Sequence, residues 1–446
     1  MKNKIIILWS CVLLATPAIA ADAPNLNAAV ALALEHTPSL QAAQAARDAS
    51  VEDVSLGRAW LLPSVVVTGS LTRINQDFNY NKPSAFLSPT VRNREQDYGI
   101  RISQPLFDVA KWAMYKQGSI SAATGEVKLA IQRQRTILEA SAAWLDVMRA
   151  QAAYAAAIAS EKAMDRLATQ AKAAFDVGTA AVNDSLSASS RRDLAKAGRI
   201  RAGQVLAQAK ARLNSLVGKP LDVSVALHQD IKPLHAMPDA LKIWEQRAEV
   251  NALGVRLSSQ GIAIADAAHL QAVGTAMPNV QLVAGWNHNK SSDSTFGGST
   301  VKAAYIGVEL SMPLYAGGAT WAKARKSSKQ KLQAEFNLAE AKRTARLEAR
   351  QAWLSVRTTA AEVAALDAAL NSAKVEKDAM QVSFEVGLRT MTEALDAQER
   401  FASAQQRYAD VVARHAMAYL QLMAATGDLN NTSVAMVNTT LFSLER

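Results

Sequence analysis

The sequence is written twice. Pro63 and Pro278, 215 residues apart, each open a short β-like run, Leu62-Pro63-Ser64-Val65-Val66-Val67 against Met277-Pro278-Asn279-Val280-Gln281-Leu282. Tyr98 to Phe107 (YGIRISQPLF) matches Ile306 to Tyr315 (IGVELSMPLY) at an offset of 208. Phe175-Asp176-Val177-Gly178 matches Phe384-Glu385-Val386-Gly387, and Leu216-Val217-Gly218 matches Ala425-Thr426-Gly427, both at 209. Anchors at so steady an offset mark a duplication, and a duplication limits the fold to two copies of one design.

Each copy reads as helix, strand, loop, strand, long helix, turn, long helix. No proline occurs between Leu106 and Lys219, or from Leu314 to the C-terminus, and both stretches are rich in Ala, Leu, Gln, Glu, Lys and Arg. These are strong helix formers. From Phe107 to Phe175 only Gly118 and Gly125 are expected to interrupt the helix. About 70 residues at ~1.5 Å each would make a rod of about 100 Å. Rods of that length with Ala-rich faces are expected to pack as coiled coils.

The strands have a different period. Ile100 and Ile102 alternate with Gly99, Arg101 and Ser103; Val308 and Leu310 alternate with Gly307, Glu309 and Ser311; Val280, Leu282, Ala284 and Trp286 alternate with Asn279, Gln281, Val283 and Gly285. A half-buried sheet of a soluble protein shows this pattern, and so does a transmembrane β-barrel. Trp60, Tyr98, Phe107, Trp286, Tyr305 and Tyr315 are expected near strand ends, where an interfacial girdle would lie, and they favour the barrel. Residues 75–96 and 287–300 read as long polar loops at one end of the strands. Four strands do not close a barrel, and open edges in lipid leave backbone groups unpaired. The chain must therefore oligomerise, and the pattern allows eight strands in a dimer or twelve in a trimer.

Export signals agree. Lys2 and Lys4 precede an apolar core from Ile5 to Leu14, and Ala18-Ile19-Ala20 is a small-x-small cleavage site, so residues 1–20 read as a signal peptide. The apolar core is too short to span a bilayer, which takes roughly 20 residues. Cleavage removes two lysines, which lowers the formal net charge from +10 to +8, and also removes Cys11, the one cysteine. Lipidation at Cys11 is disfavoured by the bulky Trp9 two residues before it. The mature chain then offers no disulfide, thiol nucleophile or cysteine metal site. No other segment is apolar enough for a membrane-crossing helix.

Phe384 to Leu429 resembles the second gate-helix region of the TolC family of outer-membrane efflux and type I secretion channels. Its landmarks are Gly387-x-x-Thr390, Leu395-Asp396-Ala397-Gln398 and Gly427-Asp428-Leu429. Leu26 to Ala43 resembles the opening helix of that family, and the Ser-x-Pro-Leu-aromatic strand exits fit it as well. The resemblance implies a mixed α and β fold in two tandem repeats. A membrane β-barrel, four strands per chain and twelve in a trimer, would continue into a long periplasmic helical coiled-coil tunnel. It divides the chain into a signal peptide (1–20), a first repeat (21–218), a linker at the equatorial region (219–240), a second repeat (241–429) and a C-terminal tail (430–446).

It also implies partners and a gate. The partners are two further copies of the chain, a periplasmic adaptor, an inner-membrane ABC or RND-type pump and outer-membrane lipid, with no nucleic acid. The gate arginine falls on Arg389, with Asp184 beside Asn183 as its acidic partner, and the aromatic gate position falls on Phe384, which lacks the hydroxyl of tyrosine. Glu393 and Asp396, three apart on one helix face, would be the constriction carboxylates; the positions matching them in the first repeat are Asp184 and Ser187. The competing reading of those carboxylates is a pair of solvated acids near a helix N-terminus.

No cofactor, metal site or catalytic constellation is expected. His36, His228, His235, His269, His288 and His415 lack metal-ligand spacing. Gly297-Gly298 and Gly317-Gly318 belong to no phosphate-binding motif. Trp112, Trp144, Trp321 and Trp353 are expected to pack, and Lys323, Arg325, Lys326, Lys329 and Lys331 read as a solvated helix face. The rival architecture is a periplasmic coiled-coil scaffold or adaptor without a pore, which leaves the duplicated strands without purpose.

Overall fold

The structure is a computed structural model that describes residues 25–77, 90–221, 225–227, 233–234, 240–293 and 297–444. The signal peptide and most of the 219–240 linker lie outside the described residues. The first repeat gives α1 (Leu26–His36), α2 (Pro38–Ala59), β1 (Ser64–Asp77), β2 (Thr90–Phe107), α3 (Val109–Asp176) and α4 (Val182–Val217). After the short β3 (Val225–Leu227), the second gives α5 (Leu241–Asn251), α6 (Leu253–Gly274), β4 (Asn279–Ser291), β5 (Ser299–Ser311), α7 (Ala319–Glu385) and α8 (Met391–Ala425). Within the tail, residues 431–444 form α9 (Asn431–Leu441) and β6 (Phe442–Leu444), which pairs antiparallel with β3.

The four long strands make one antiparallel sheet in the order β1-β2-β4-β5. Its register turns the alternation into two faces. Val67, Ile100, Trp286 and Ala304 fall in one cross-strand row, and Val65, Ile102, Ala284 and Ile306 in the next but one. Successive side chains of a strand point to opposite faces, so these rows share a face with Leu71, Leu282, Val308 and Leu310. The other face carries Asp97, Arg101, Asn287, Asn289, Gln281 and Glu309. There Asn289 Nδ2 donates to Asp97 Oδ1 at 2.5 Å and Gln281 Nε2 to Glu309 Oε2 at 2.9 Å. Gly285 leaves room for the Tyr305 ring, whose Cζ would lie 2.6 Å from an added Cβ. Among the described residues, the outer edges of β1 and β5 have no partner strand.

Both polar loops are shorter than expected. The strands run on to Asp77 and Thr90, and to Ser291 and Ser299, because polar side chains do not stop the backbone ladder where they can face water. Tyr98, Trp286 and Tyr305 consequently sit mid-strand, with Tyr98 stacked on His288 at 4.5 Å. Trp60, Phe107 and Tyr315 do lie at the helix-side ends of the strands, exposed. Trp112 and Trp321, on the first turns of α3 and α7, are also exposed, whereas Trp144 and Trp353 are buried.

Helices α3 and α7 run 68 and 67 residues without a break. Gly118 and Gly125 do not interrupt α3; they let α2 lie against it. A Cβ at Gly118 would overlap the Asp53 backbone, one at Gly125 the Ser50 hydroxyl, and one at Gly57 would come within 2.9 Å of Tyr115 Cα. Near the strands the packing order is α2-α3-α6-α7; towards the far tips it is α4-α3-α8-α7. Hairpin α3–α4 turns at Gly178 and hairpin α7–α8 at Gly387, with φ of 78° and 77°, left-handed values that suit glycine. The backbone N–H of Thr179 closes on Ala174 O and that of Leu388 on Ser383 O, both at 2.8 Å.

The main core lies at the waist, where α1 and α9 flank the long helices. It gathers Trp144 and Met148 of α3, Leu213 of α4, Trp353 of α7, Leu420 and Leu422 of α8, Leu26 of α1 and Val437 of α9. His415, fully buried there, shares a 2.9 Å hydrogen bond through Nδ1 with the Thr359 hydroxyl. The Leu26 backbone N–H donates to Asn438 Oδ1 at 3.1 Å, so the two ends of the described chain meet. α4 buries only Ala188, Leu213 and Val217, and leaves Leu186, Leu194 and Ile200 bare; α7 leaves Phe336, Val375 and Val382 bare.

Gly118→Leu should lower the thermal unfolding midpoint by circular dichroism, at a cost of about 1–3 kcal/mol for overpacking. Gly198→Ala, where an added Cβ meets nothing within 4 Å, should leave the midpoint unchanged or raise it.

Candidate functional site at the helical tips

The residues singled out as a gate collect where the two helical hairpins end. Phe384, on the last turn of α7, is half-buried against Met164 and Leu167 of α3 and Leu395 of α8, with Ala195 and Met391 beside it. Its ring therefore pins the second hairpin to the first through apolar contact, in place of the hydrogen bond a tyrosine would offer. Asn183 and Asp184 are exposed on the first turn of α4. An acid suits that position, because the helix N-terminus carries partial positive charge.

Within the chain Arg389 does not reach Asp184. It lies just before α8 and donates through Nη1 to Glu393 Oε1 at 2.8 Å. Glu393 in turn completes a capping box. Its Oε2 accepts the Thr390 backbone N–H at 2.8 Å and the Thr390 hydroxyl at 2.9 Å, while its own backbone N–H donates to Thr390 Oγ1 at 3.4 Å. The Thr390 backbone and hydroxyl, then Arg389, hold the Glu393 carboxyl below the ordinary carboxylate range. The spacing Thr-x-x-Glu is a readable capping signal in the sequence.

Asp396 is also partnered. Arg191 of α4 donates from Nη1 to Asp396 Oδ1 at 2.6 Å and approaches Glu399 Oε1 at 3.4 Å. Arg191 was not among the expected site residues, and nothing local marks it, since its partner lies 205 residues further on. Further from the tips Arg149 Nη1 of α3 donates to Asp410 Oδ1 of α8 at 2.8 Å, and Arg414 Nε donates to the other oxygen at 3.0 Å. Burial works against the Asp410 charge, but these two arginines outweigh it and hold the carboxyl low. Among the described residues no cluster of His, Cys, Asp or Glu could hold a metal, and no helix is long and apolar enough to cross a membrane. Of the histidines, His228 and His235 lie outside the described residues. Of the basic run, Lys331 is paired with Asp266 at 2.7 Å.

The outer membrane efflux protein family matches residues 29–219 and 245–428, one match on each side of the linker. The chain belongs to this family. The outer membrane protein TolC of Vibrio cholerae serotype O1 is 28% identical over 448 residues, covering 98% of both chains. The proteases secretion protein PrtF of Dickeya chrysanthemi is 25% identical over 450 residues, covering 96% of this chain and 93% of its own. Among solved structures, the CmeC outer membrane channel of Campylobacter jejuni superposes with a TM-score of 0.76 at 13% identity, over 99% of this chain and 98% of that one. The fold is thus that of outer-membrane channels.

Glu393 gives the tip a pH dependence of defined sign. Its folded pKa is depressed, so its stabilising contribution is complete above the unfolded value of about 4.3 and is lost as pH falls below it through the folded value. Hydrogen exchange at Ala394 and Leu395 should be insensitive to Glu393→Gln below that window and faster in the variant at neutral pH. Thr390→Ala should raise exchange there as well, by the ~1 kcal/mol a lost N-cap costs.

Proposed function

We propose that three copies of this chain close into an outer-membrane exit duct that passively conducts cargo from an inner-membrane pump and a periplasmic adaptor to the exterior. One observation carries the reading: the chain is open along the same two sides at every level. β1, α2 and α4 of the first repeat form one side, and β5 and α7 of the second form the other. Joining the β5 edge of one copy to the β1 edge of the next pairs the free ladder groups and covers the bare apolar residues of α4 and α7. Three copies contribute four strands each, twelve in all, and a closed barrel satisfies every backbone group in lipid. The apolar sheet face then meets lipid, and the polar face with Arg101, Asp97 and Glu309 lines the lumen. Length supports the duct as well, since α3 and α7 carry it about 100 Å away from the strands.

The same ring geometry gives Asp184 and Arg389 a role. Asp184 starts α4 on the open side of the first hairpin, and Arg389 ends the turn of the second. A contact between neighbouring copies would link them where a contact within one copy does not. In this reading Arg389 exchanges Glu393 for the neighbour's acid as the tip closes, with Asn183 beside it. The protein secretion named for PrtF makes a secreted protein, moved by an ABC-type pump, the favoured cargo over drugs moved by an RND-type pump.

Purified mature protein in a planar lipid bilayer should show cation-selective single-channel openings. The Arg389→Ser, Asp184→Ala double variant should show larger or longer openings. Unchanged conductance in the variant would remove these residues from the gate while keeping the duct. A folded oligomer that never conducts, and that washes off membranes without detergent, would replace the duct by a scaffold.

A further inference from the structure

The duplication makes the Arg191–Asp396 pair stand out, because it has no counterpart. At the offset of 209, Asp396 corresponds to Ser187, Glu399 to Ser190 and Arg191 to Arg400. Arg400 pairs with Glu376 at 2.7 Å, which ties α8 to α7 inside one hairpin. Arg191 instead reaches from the first hairpin to the second. It sits nine residues into α4 and Asp396 five into α8, about 14 Å and about 8 Å from the helix starts. The next cross-hairpin pair described, Arg149 with Asp410, lies about 21 Å further along α8.

We propose that Arg191 is the latch and the charge filter of the periplasmic entrance: it holds the two hairpin tips of one copy together and neutralises the Asp396 carboxylate that would otherwise face the pore. The reading rests on the duct proposed above. The Arg191 side chain is 25% exposed, against 42% for Asp396 and 55% for Glu399, so the guanidinium is the more enclosed partner and is fixed by two acids. Three bare Asp396 carboxylates around one axis would attract cations and repel anions. Three Arg191–Asp396 pairs weaken that field, so the wild-type entrance is less cation-selective than a ring of bare carboxylates would be. The chain adds this pair where its own first repeat has a serine.

Two measurements test it together. In planar bilayers, Arg191→Gln should increase the open-state population by up to about five-fold per chain, the ratio that ~1 kcal/mol represents, and shift permeability toward cations. Asp396→Asn should increase opening without that shift. The swap Arg191→Asp with Asp396→Arg should restore low opening, which a merely structural arginine would not allow. Independently of any pore, spin labels on Val177→Cys and Val386→Cys report the separation of the two turns. Arg191→Gln should broaden that distribution to longer distances. Unchanged opening, selectivity and tip distances in Arg191→Gln would overturn the latch while wild-type conductance kept the duct. Wider tips in a protein that never conducts would keep the latch and overturn the duct. A swap that fails to restore low opening would overturn the pairing.

Discussion

Every level of this molecule answers to the unpaired backbone groups along β1 and β5. In water such edges are a liability; in lipid each unmatched N–H or C=O costs several kcal/mol. A sheet with one apolar face and two free edges is not stable alone in either medium, which is why the proposed duct closes through further copies of the chain. The helices inherit the constraint. Because β2 and β4 join the repeats at the middle of the sheet, α3, α6 and α8 are pulled inward and become the buried members of the bundle. α2, α4 and α7 are left at the margins with bare apolar side chains, matching the open strands above them.

Small residues make the rods possible. Gly57, Gly118 and Gly125 bring α2 and α3 to near backbone contact, and Gly274 does the same for α6 against the Val109–Ala110 backbone. Alanines fill the buried seams of α3 and α8, with Trp144 and Trp353 reserved for the waist, where α1 and α9 widen the bundle. The tips lie beyond these glycine contacts. Their cohesion then depends on the few contacts that cross between hairpins, the Phe384 ring and the Arg191 guanidinium among them.

Much of the architecture was legible in the residues because it depends on period and on the absence of proline. Alternation in Gly99 to Ser103, Gly307 to Ser311 and Asn279 to Trp286 placed the apolar face, and unbroken Ala-rich stretches placed the rods. The errors came where a residue has two uses. Glycine breaks helices in general, yet Gly118 and Gly125 serve packing, and that requires knowing the neighbour. Polar residues after Ile74 and Trp286 suggest loops, yet one wet face suffices to keep a strand. At the tips, Glu393 caps α8 through Thr390, and that spacing is already present in the sequence. Arg191 carries no local pattern; it gains meaning only when α4 is laid across from α8. The β3–β6 pair joins three-residue segments 217 positions apart, too short to show any period.

That pairing and the bond between Leu26 and Asn438 bring the beginning and end of the described chain to the same place at the waist. Contacts between elements so distant in sequence form late, since the loop they close is nearly the whole polypeptide. α9 and β6 are also the last described elements to leave the ribosome and the last to cross the inner membrane. The waist is therefore a completeness check. Without α9 the chain would lack the clasp that bridges α1 and α8, and the waist core around Leu26 would lose Val437.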